Sequence, residues 1–431
     1  GGARLTPELL GLAGALRESA PAEYEQTLRS AIEGRREPAL DAETAHDLYL
    51  RAQKNARYGV EGMIASISQL ESFALCPFAH FVGYGLRPRE LKEPRMDARE
   101  RGTLEHRAIE DFAGRLYARQ DEVGDEEAER LMREVLEPLF EEESAHRREG
   151  GLSRANHQEI RRAMGRMSRL MALQKRLSRF RVSAEELAFT PADTAPLSLP
   201  SGERVYLEGK IDRVDVLNLH SDLYARVIDY KTGNTALGLD DVYFGLRLQL
   251  FLYLDAVLAL RGAKPAGVFY QKLSEAPMRL AGGRIDEKLA ARQRKKLRLT
   301  GFILEDPDVI EQMCADPEIM DQVLPVEPRT KGGRALPGEF TERSRSRMLS
   351  EEAFGLLRRH TRRKLAELAG DALAGKAAVS PALTQDLDAC KYCRFRSICG
   401  FDESLPGCER RNLQMDSEEV LQRMRKEDEN A

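Results

Sequence analysis

Two adjacent strand-like segments lie in the middle of a helix-rich sequence, and they restrict the fold more than any other feature. Residues 205–216 mix β-branched and charged side chains, whereas residues 223–230 form a shorter and mainly apolar run. The polar stretch Leu217–Asp222 separates them, and a further strand is predicted at Ala266–Lys272. A sheet built from these segments needs helices to cover it, which predicts an α/β core.

The sequence around these strands is predicted to be helical. Apolar residues recur along one face of a helix from Arg99 to Arg119, and a long amphipathic helix is predicted from about Asp240 to Leu260. Further helical segments are predicted at residues 3–60, at the charge-rich residues 120–180, and at Ile285–Lys376 around a Gly/Pro-rich loop at Lys331–Gly338.

The composition indicates a globular protein, with 42% hydrophobic and 32% charged residues. No apolar run approaches the roughly 20 residues that span a bilayer, and no secretory signal is evident after Gly1. We therefore expect a cytoplasmic protein, or a fragment of one, without a membrane partner. The net charge of −4 does not point to nucleic acid, although a local basic stripe is enough to hold phosphates.

The first chemical constellation consists of Asp212 and the run Asp229-Tyr230-Lys231. Alternate residues of a strand face the same side, so Asp229 and Lys231 should project together while Tyr230 is buried on the other side. If the two predicted strands pair antiparallel, Asp212 lies close to Asp229. Two carboxylates make a site suited to Mg²⁺ or Mn²⁺, and the lysine can orient or deprotonate a water molecule. Metal-assisted phosphodiester hydrolysis requires this set of groups.

Each candidate residue also has an ordinary structural explanation. Asp229 and Lys231 alone would be interpreted as an exposed ion pair at a hairpin. His106 lies at the edge of the buried face of its predicted helix, where a histidine is more often a packing residue than a ligand. Gln249 and Tyr253 share one helix face because they are four residues apart. They could contact a nucleic-acid strand, support the lysine, or do neither.

The second constellation is formed by cysteines. Cys390, Cys393 and Cys399 lie within one short loop, and Cys76 lies far upstream. In a cytosolic protein this spacing favours a metal site over disulfides. Three clustered thiolates and a distant one suit either zinc or a [4Fe–4S] cluster, and the spacing leaves both open. The remaining cysteines, Cys314 and Cys408, have no evident partner, although Cys408 is near enough to substitute as a ligand.

Taken together, these residues resemble the RecB-type nucleases of the PD-(D/E)XK superfamily, and among them the AddB family of bacterial helicase–nuclease subunits. The likeness extends over roughly residues 60 to 405, with all motifs in the family order. The segments that carry it are Ser66–Phe78, Gly102–His106, Gly209–Asp215, Val227–Gly233, Val242–Asp255 and Cys390–Asp402.

The resemblance implies a restriction-endonuclease-like core, in which helices flank a central mixed sheet, with large helical insertions and a four-cysteine iron–sulfur staple. It implies that a Mg²⁺ or Mn²⁺ ion is bound by His106, Asp212, Asp229 and the backbone carbonyl of Tyr230. Lys231 would be the catalytic lysine beside the attacking water. Gln249 and Tyr253 would support the site and the bound strand. Glu186, or alternatively Glu185, would be the glutamate before the first core strand. The ligands of a [4Fe–4S] cluster would be Cys76, Cys390, Cys393 and Cys399.

The same resemblance implies a domain organisation and partners. Residues 1–62 would end a preceding helicase-like region or linker, 63–405 would form the nuclease domain with a helical insertion at about 120–180, and 406–431 would be a charged tail. The expected activity is exonucleolytic cutting of the 5′-ended single DNA strand beside an AddA-like helicase–nuclease subunit, in double-strand-break repair. No G-x4-G-K-[ST] motif is present, so ATP hydrolysis would belong elsewhere. The alternatives are a stand-alone iron–sulfur exonuclease, an inactive DNA-binding subunit stapled by its cluster, and a zinc-stapled nuclease.

Overall fold

A mixed sheet of eight strands forms the centre of the structure, a computed structural model that describes residues 39–50, 52–88, 98–146, 154–233, 236–273, 287–404 and 408–430. Its eight strands are β1 (Met63–Ser66), β2 (Arg181–Phe189), β3 (Leu197–Ser198), β4 (Arg204–Leu219), β5 (Asp222–Lys231), β6 (Lys264–Lys272), β7 (Leu299–Leu304) and β10 (Met348–Leu349). Two separate two-stranded sheets consist of β8 (Pro328–Lys331) with β9 (Arg334–Phe340) and of β11 (Ala382–Leu383) with β12 (Arg411–Asn412). The main path of the sheet runs β1-β4-β5-β6-β7-β10, and β2 and β3 also pair with β4. The predicted α/β class with a central mixed sheet is confirmed.

Helices flank this sheet. They are α1 (Ala42–Tyr49), α2 (Ala52–Tyr58), α3 (Ile67–Leu75), α4 (Pro77–His80), α5 (Ala98–Ala118), α6 (Asp125–His146), α7 (Arg154–Leu177), α8 (Leu239–Tyr243), α9 (Gln249–Arg261), α10 (Glu287–Leu297), α11 (Pro307–Met313), α12 (Met320–Val323), α13 (Glu342–Arg345), α14 (Glu351–Leu373), α15 (Arg396–Cys399) and α16 (Ser417–Glu429), with a π-helix at Phe81–Leu86. Among the helices described, none has both the length and the apolar character needed to cross a membrane.

The strands β4 and β5 form an antiparallel hairpin that is longer than the sequence predicts. Arg213 pairs with Ile228, and the ladder continues to Leu219 and Asp222. The prediction of a polar connection over 217–222 is wrong, because the turn consists only of His220 and Ser221. Both adopt positive φ, 50° and 70°, which is the turn geometry that matches the twist of two antiparallel strands.

The helix predicted at Arg99–Arg119 is confirmed as α5, and its apolar face is buried, including Leu104, Ile109 and Phe112. The charge-rich residues 120–180 are largely helical as predicted, because they form α6 and α7. Both helices pack on α5. Ion pairs between Arg107 and Glu142 and between Arg101 and Glu159 join these helices at their exposed edges. The helical layer thus brings α5 against the sheet.

The prediction of a single amphipathic helix from Asp240 to Leu260 is wrong. The segment forms two helices, α8 and α9, interrupted at Phe244–Leu248. Gly245 has φ +83°, and a Cβ there would approach Leu368 and Lys364 to 3.1 Å. The chain therefore needs glycine to turn between the helices. The helix α9 is buried on most sides rather than amphipathic.

The predicted helical character of Ile285–Lys376 is only partly correct. Leu299–Leu304 is strand β7, which pairs antiparallel with β6 inside the central sheet. A short apolar run has no periodicity that separates a buried strand from a helix. The predicted loop at Lys331–Gly338 lies within a hairpin of β8 and β9.

The C-terminal segment predicted as a charged tail contains α16, whose Val420 and Met424 are fully buried. The preceding residues meet the beginning of the nuclease-like segment: Arg411 donates a hydrogen bond of 2.5 Å to the carbonyl of Ala74. Of the predicted N-terminal helical region, α1 and α2 are observed, and residues 1–38 lie outside the described residues.

Candidate active site

The hairpin of β4 and β5 places Asp212 beside Asp229, as the sequence predicts. Since Arg213 pairs with Ile228, Asp212 lies opposite Asp229 in the register. Asp212 Oδ2 accepts a hydrogen bond of 2.7 Å from the backbone N–H of Tyr230. Both carboxylates are buried, and only 2% of Asp229 is exposed. The two strands therefore hold two carboxylates together away from bulk water.

Lys231 projects to the same side of β5 as Asp229, while Tyr230 is buried as predicted. Lys231 Nζ lies 2.7 Å from Asp229 Oδ2 and donates a hydrogen bond of 3.0 Å to Gln249 Oε1. Gln249 Nε2 donates to Asp229 Oδ1 at 2.9 Å and to the hydroxyl of Tyr253 at 3.0 Å. The first turn of α9 thus orients the lysine and one carboxylate simultaneously.

His106 reaches the same carboxylates from α5. Its Nε2 lies 3.1 Å from Asp212 Oδ2, and its ring contacts the Tyr230 ring edge-on at 5.9 Å between centroids. Gly102, one turn earlier, allows this approach, because a Cβ there would lie 3.1 Å from the hydroxyl of Thr232. The G-x3-H spacing therefore brings the histidine to the end of β5.

The buried charges of the site shift each other's titration. Burial raises the pKa of Asp229 to about 6, and the neighbouring Lys231 opposes this effect. Burial tends to lower the pKa of His106, but hydrogen bonds with Asp212 and Glu110 outweigh it and raise that pKa to about 10. The imidazole and the carboxylates form one electrostatically coupled cluster.

A third and a fourth carboxylate border this cluster. Glu186 on β2 lies opposite Asp212 in the β2–β4 register, and Glu110 lies one helical turn beyond His106. One ligand atom each from His106, Glu110 and Glu186 lies within 4.8 Å of the other two. Glu186 also pairs with Lys210. The structure thus brings the predicted Glu186 to the site.

A buried ion network lies beside the site on the same two strands, β4 and β5. Arg213 donates hydrogen bonds of 2.7 and 2.8 Å to the two oxygens of Asp215, and Arg226 of β5 donates to the same carboxylate at 2.9 Å. Arg213 also donates to the hydroxyl of Tyr117 on α5 at 2.7 Å. The network ties β4, β5 and α5 together and satisfies the buried charges.

The four predicted cluster cysteines surround one small cavity, together with the rings of Phe78 and Phe401. Cys76 ends α3, and the other three lie in the loop 390–399, whose last turn is α15. Burial raises the pKa of Cys390 to about 11. Although they share a cavity, no three of these sulfur atoms lie within 4.8 Å of one another.

The comparisons with known proteins agree with this geometry. Residues 64–400 match the PD-(D/E)XK nuclease superfamily, a span that contains the catalytic candidates and the four cysteines of the shared cavity. The chain belongs to the PD-(D/E)XK nuclease superfamily. Its central mixed sheet flanked by helices is therefore the fold of that superfamily.

Among curated relatives, the chain is similar to the ATP-dependent helicase/deoxyribonuclease B subunit of Alkaliphilus oremlandii, with 33% identity over 89% of this chain and 34% of that protein. The protein of the same name from Desulforudis audaxviator is 34% identical over 88% of this chain and 32% of its own length. The protein of the same name from Geobacillus kaustophilus is 32% identical over 86% of this chain and 33% of its own length. The chain thus spans about a third of the length of these relatives.

Sequence reasoning missed two acidic residues of this superfamily member's site. Glu110 could have been found from its i,i+4 spacing to His106. Glu71 carries no such signal, because its role depends on a tertiary contact: its Oε1 accepts hydrogen bonds from the backbone N–H groups of Leu248 and Gln249. Burial raises the pKa of Glu71 to about 7.

Proposed function

We propose that this chain is a divalent-metal-dependent DNA exonuclease. The observation that carries the proposal is the convergence of His106, Asp212, Asp229 and Lys231 at one end of the β4–β5 hairpin. An inactive binding subunit would have no need of two buried carboxylates beside a lysine, since burying these charges is costly. The names of the relatives, which describe a deoxyribonuclease subunit, support DNA as the substrate.

The donor atoms suit Mg²⁺ or Mn²⁺. Two aspartate carboxylates, one imidazole and the carbonyl of Tyr230 form a predominantly oxygen-rich set. Asp212, Asp229 and His106 already approach one another in the structure. When bound, the cation would polarise the scissile phosphate and stabilise the leaving oxygen.

The side chains themselves position the reacting groups. Lys231 would hold the attacking water and balance the charge that develops on the phosphate. Gln249 keeps the ammonium of Lys231 at 3.0 Å while its other end fixes Asp229. Because Tyr253 also binds this amide, the three groups cannot reorient independently, which favours a reactive geometry.

We further propose that Cys76, Cys390, Cys393 and Cys399 bind a [4Fe–4S] cluster with a structural role. The four cysteines line one cavity, and the resemblance to nucleases with a four-cysteine iron–sulfur staple favours this cluster over a single zinc ion. Such a cluster would join Cys76 to a loop roughly three hundred residues away and so restrict the unfolded chain.

The biological setting follows from the relatives, and it is part of the same proposal. The relatives are named as one subunit of a helicase/deoxyribonuclease, which implies a second subunit. We propose an AddA-like helicase–nuclease partner that unwinds a broken duplex and delivers the 5′-ended single strand to this site, in double-strand-break repair and recombination.

The test is cleavage of end-labelled single-stranded DNA with Mg²⁺ by anaerobically purified protein. Wild type is compared with Asp229→Ala and with Asp222→Ala, a matched control at the other end of β5 whose side chain pairs with the surface residue Lys264. Mg²⁺-dependent degradation that is lost only in Asp229→Ala supports the proposal. Degradation that persists in Asp229→Ala, or no cleavage by wild type even with its helicase partner, overturns it.

A further inference from the structure

Glu71 joins two helices that belong to different parts of the molecule. It lies in α3, the helix that ends at Cys76. Its Oε1 accepts hydrogen bonds of 2.6 Å from the N–H of Leu248 and 3.0 Å from the N–H of Gln249. These N–H groups begin α9, the helix that carries the active-site amide.

The start of α9 needs an acceptor from outside. The first N–H groups of a helix have no partner within that helix, and Leu248, the residue at the cap position, makes no side-chain capping bond. Leu248 and Leu250 are fully buried, so water does not cover this end. Unpaired buried N–H groups are costly, and the carboxylate of Glu71 satisfies two of them.

The capped residue is also the one that orients the site. The backbone N–H of Gln249 binds Glu71, and the side chain of Gln249 binds Lys231 and Asp229. A shift of the first turn of α9 would therefore move the amide away from both groups. Glu71 itself makes no hydrogen bond to Asp229 or Asp212 among the contacts that the structure gives.

We propose that Glu71 is a positioning residue of the nuclease site, which acts by capping α9 and thereby fixing Gln249. This inference rests on the proposed nuclease function. A misplacement of about 1 Å can cost on the order of 100-fold in rate, and it affects the chemical step more than substrate binding. Loss of the cap should therefore lower kcat and leave KM nearly unchanged.

The experiment compares Glu71→Ala with Glu71→Gln, which keeps an oxygen acceptor. The control is Asp41→Ala, which removes a carboxylate cap from α1, far along the chain from the catalytic groups. We expect Glu71→Ala to lower kcat about tenfold or more with KM within about twofold, and Glu71→Gln to restore most of it. Asp41→Ala should lower Tm without changing kcat.

Wild-type kcat in Glu71→Ala would overturn the inference, as would a loss in Glu71→Gln equal to that in Glu71→Ala. If Glu71→Ala does not fold, Glu71→Asp is used instead, because its side chain is one methylene shorter and its carboxylate lies farther from α9. A wild-type kcat in that variant overturns the inference.

If wild type itself does not cleave DNA, the proposed function fails, and Mn²⁺ affinity measured by paramagnetic resonance decides the role of Glu71 instead. Weaker Mn²⁺ binding by Glu71→Ala, or by Glu71→Asp, than by wild type supports positioning of Asp229 through Gln249. Equal binding overturns it.

Discussion

The side-chain amide of Gln249 donates a hydrogen bond of 2.9 Å to the carboxylate of Asp229. The oxygen of the same amide accepts from Lys231, so the amide has one orientation that satisfies both neighbours. Gln249→Glu would place a second carboxylate against Asp229 and should lower kcat by roughly 100-fold, whereas Tyr253→Phe, which removes only one acceptor, should change it by less than about tenfold. Single-turnover cleavage rates distinguish the two, and equal rates would contradict this role for Gln249.

The pKa of Asp229 predicts an unusual gain in stability when its charge is removed. Folding raises this pKa from 3.8 to about 6, so the ionised carboxylate destabilises the metal-free protein above pH 6, and protonation removes the penalty as the pH falls. Asp229→Asn should therefore be more stable than wild type at pH 8 in the absence of metal, and the difference should shrink at pH 5.

Urea unfolding in the presence of a chelator measures this difference. Added Mg²⁺ should reverse the order at pH 8, because a ligand stabilises only the protein that binds it. A wild-type protein that is the more stable of the two without metal would contradict the expected desolvation of Asp229.

The network around Asp215 predicts a large effect on stability. Asp215→Asn would leave the buried guanidinium groups of Arg213 and Arg226 without their shared counter-ion. We expect a loss of about 3 kcal/mol or more in the free energy of unfolding. The exposed pair Asp222–Lys264 should cost less than about 1 kcal/mol when Asp222 is changed to Asn. Similar losses in the two variants would show that the network contributes little.

The cysteine site predicts that its four cysteines and the buried Cys314 respond differently to substitution. Alanine at Cys76, Cys390, Cys393 or Cys399 should abolish bound iron and lower Tm, because a cluster would no longer join Cys76 to the loop 390–399. Alanine at the buried Cys314, whose thiol donates to the carbonyl of Asp316, should leave the iron content unchanged. Iron, sulfide and zinc analysis of anaerobic protein makes the measurement. Stoichiometric zinc in place of iron would contradict the proposed cluster.

Local patterns predicted the geometry at the end of β5 well, because strand alternation alone places Asp229 and Lys231 together and buries Tyr230 between them. The proximity of Asp212 required only an antiparallel pairing. His106 and the pair Gln249 and Tyr253 had ordinary explanations in the sequence, and their convergence comes from the packing of α5 and α9 on the sheet.

The errors have identifiable physical causes. The turn at His220 and Ser221 lacks the glycine or asparagine that usually marks positive φ. The break before α9 depends on close packing of Gly245 against Leu368. Glu71 was missed because its hydrogen bonds reach residues far along the chain, which no local pattern encodes.

The hydrogen bond between Arg411 and Ala74 spans 337 positions of sequence. This separation determines the delay between the synthesis of the two residues on the ribosome. At about 5–20 residues per second, a ribosome needs roughly 20–70 s to make the intervening chain. During that time α3 emerges without Arg411, so the carbonyl of Ala74 lacks the partner that it has in the finished fold. We therefore expect the end of α3 to acquire its final contacts only after Arg411 has been made.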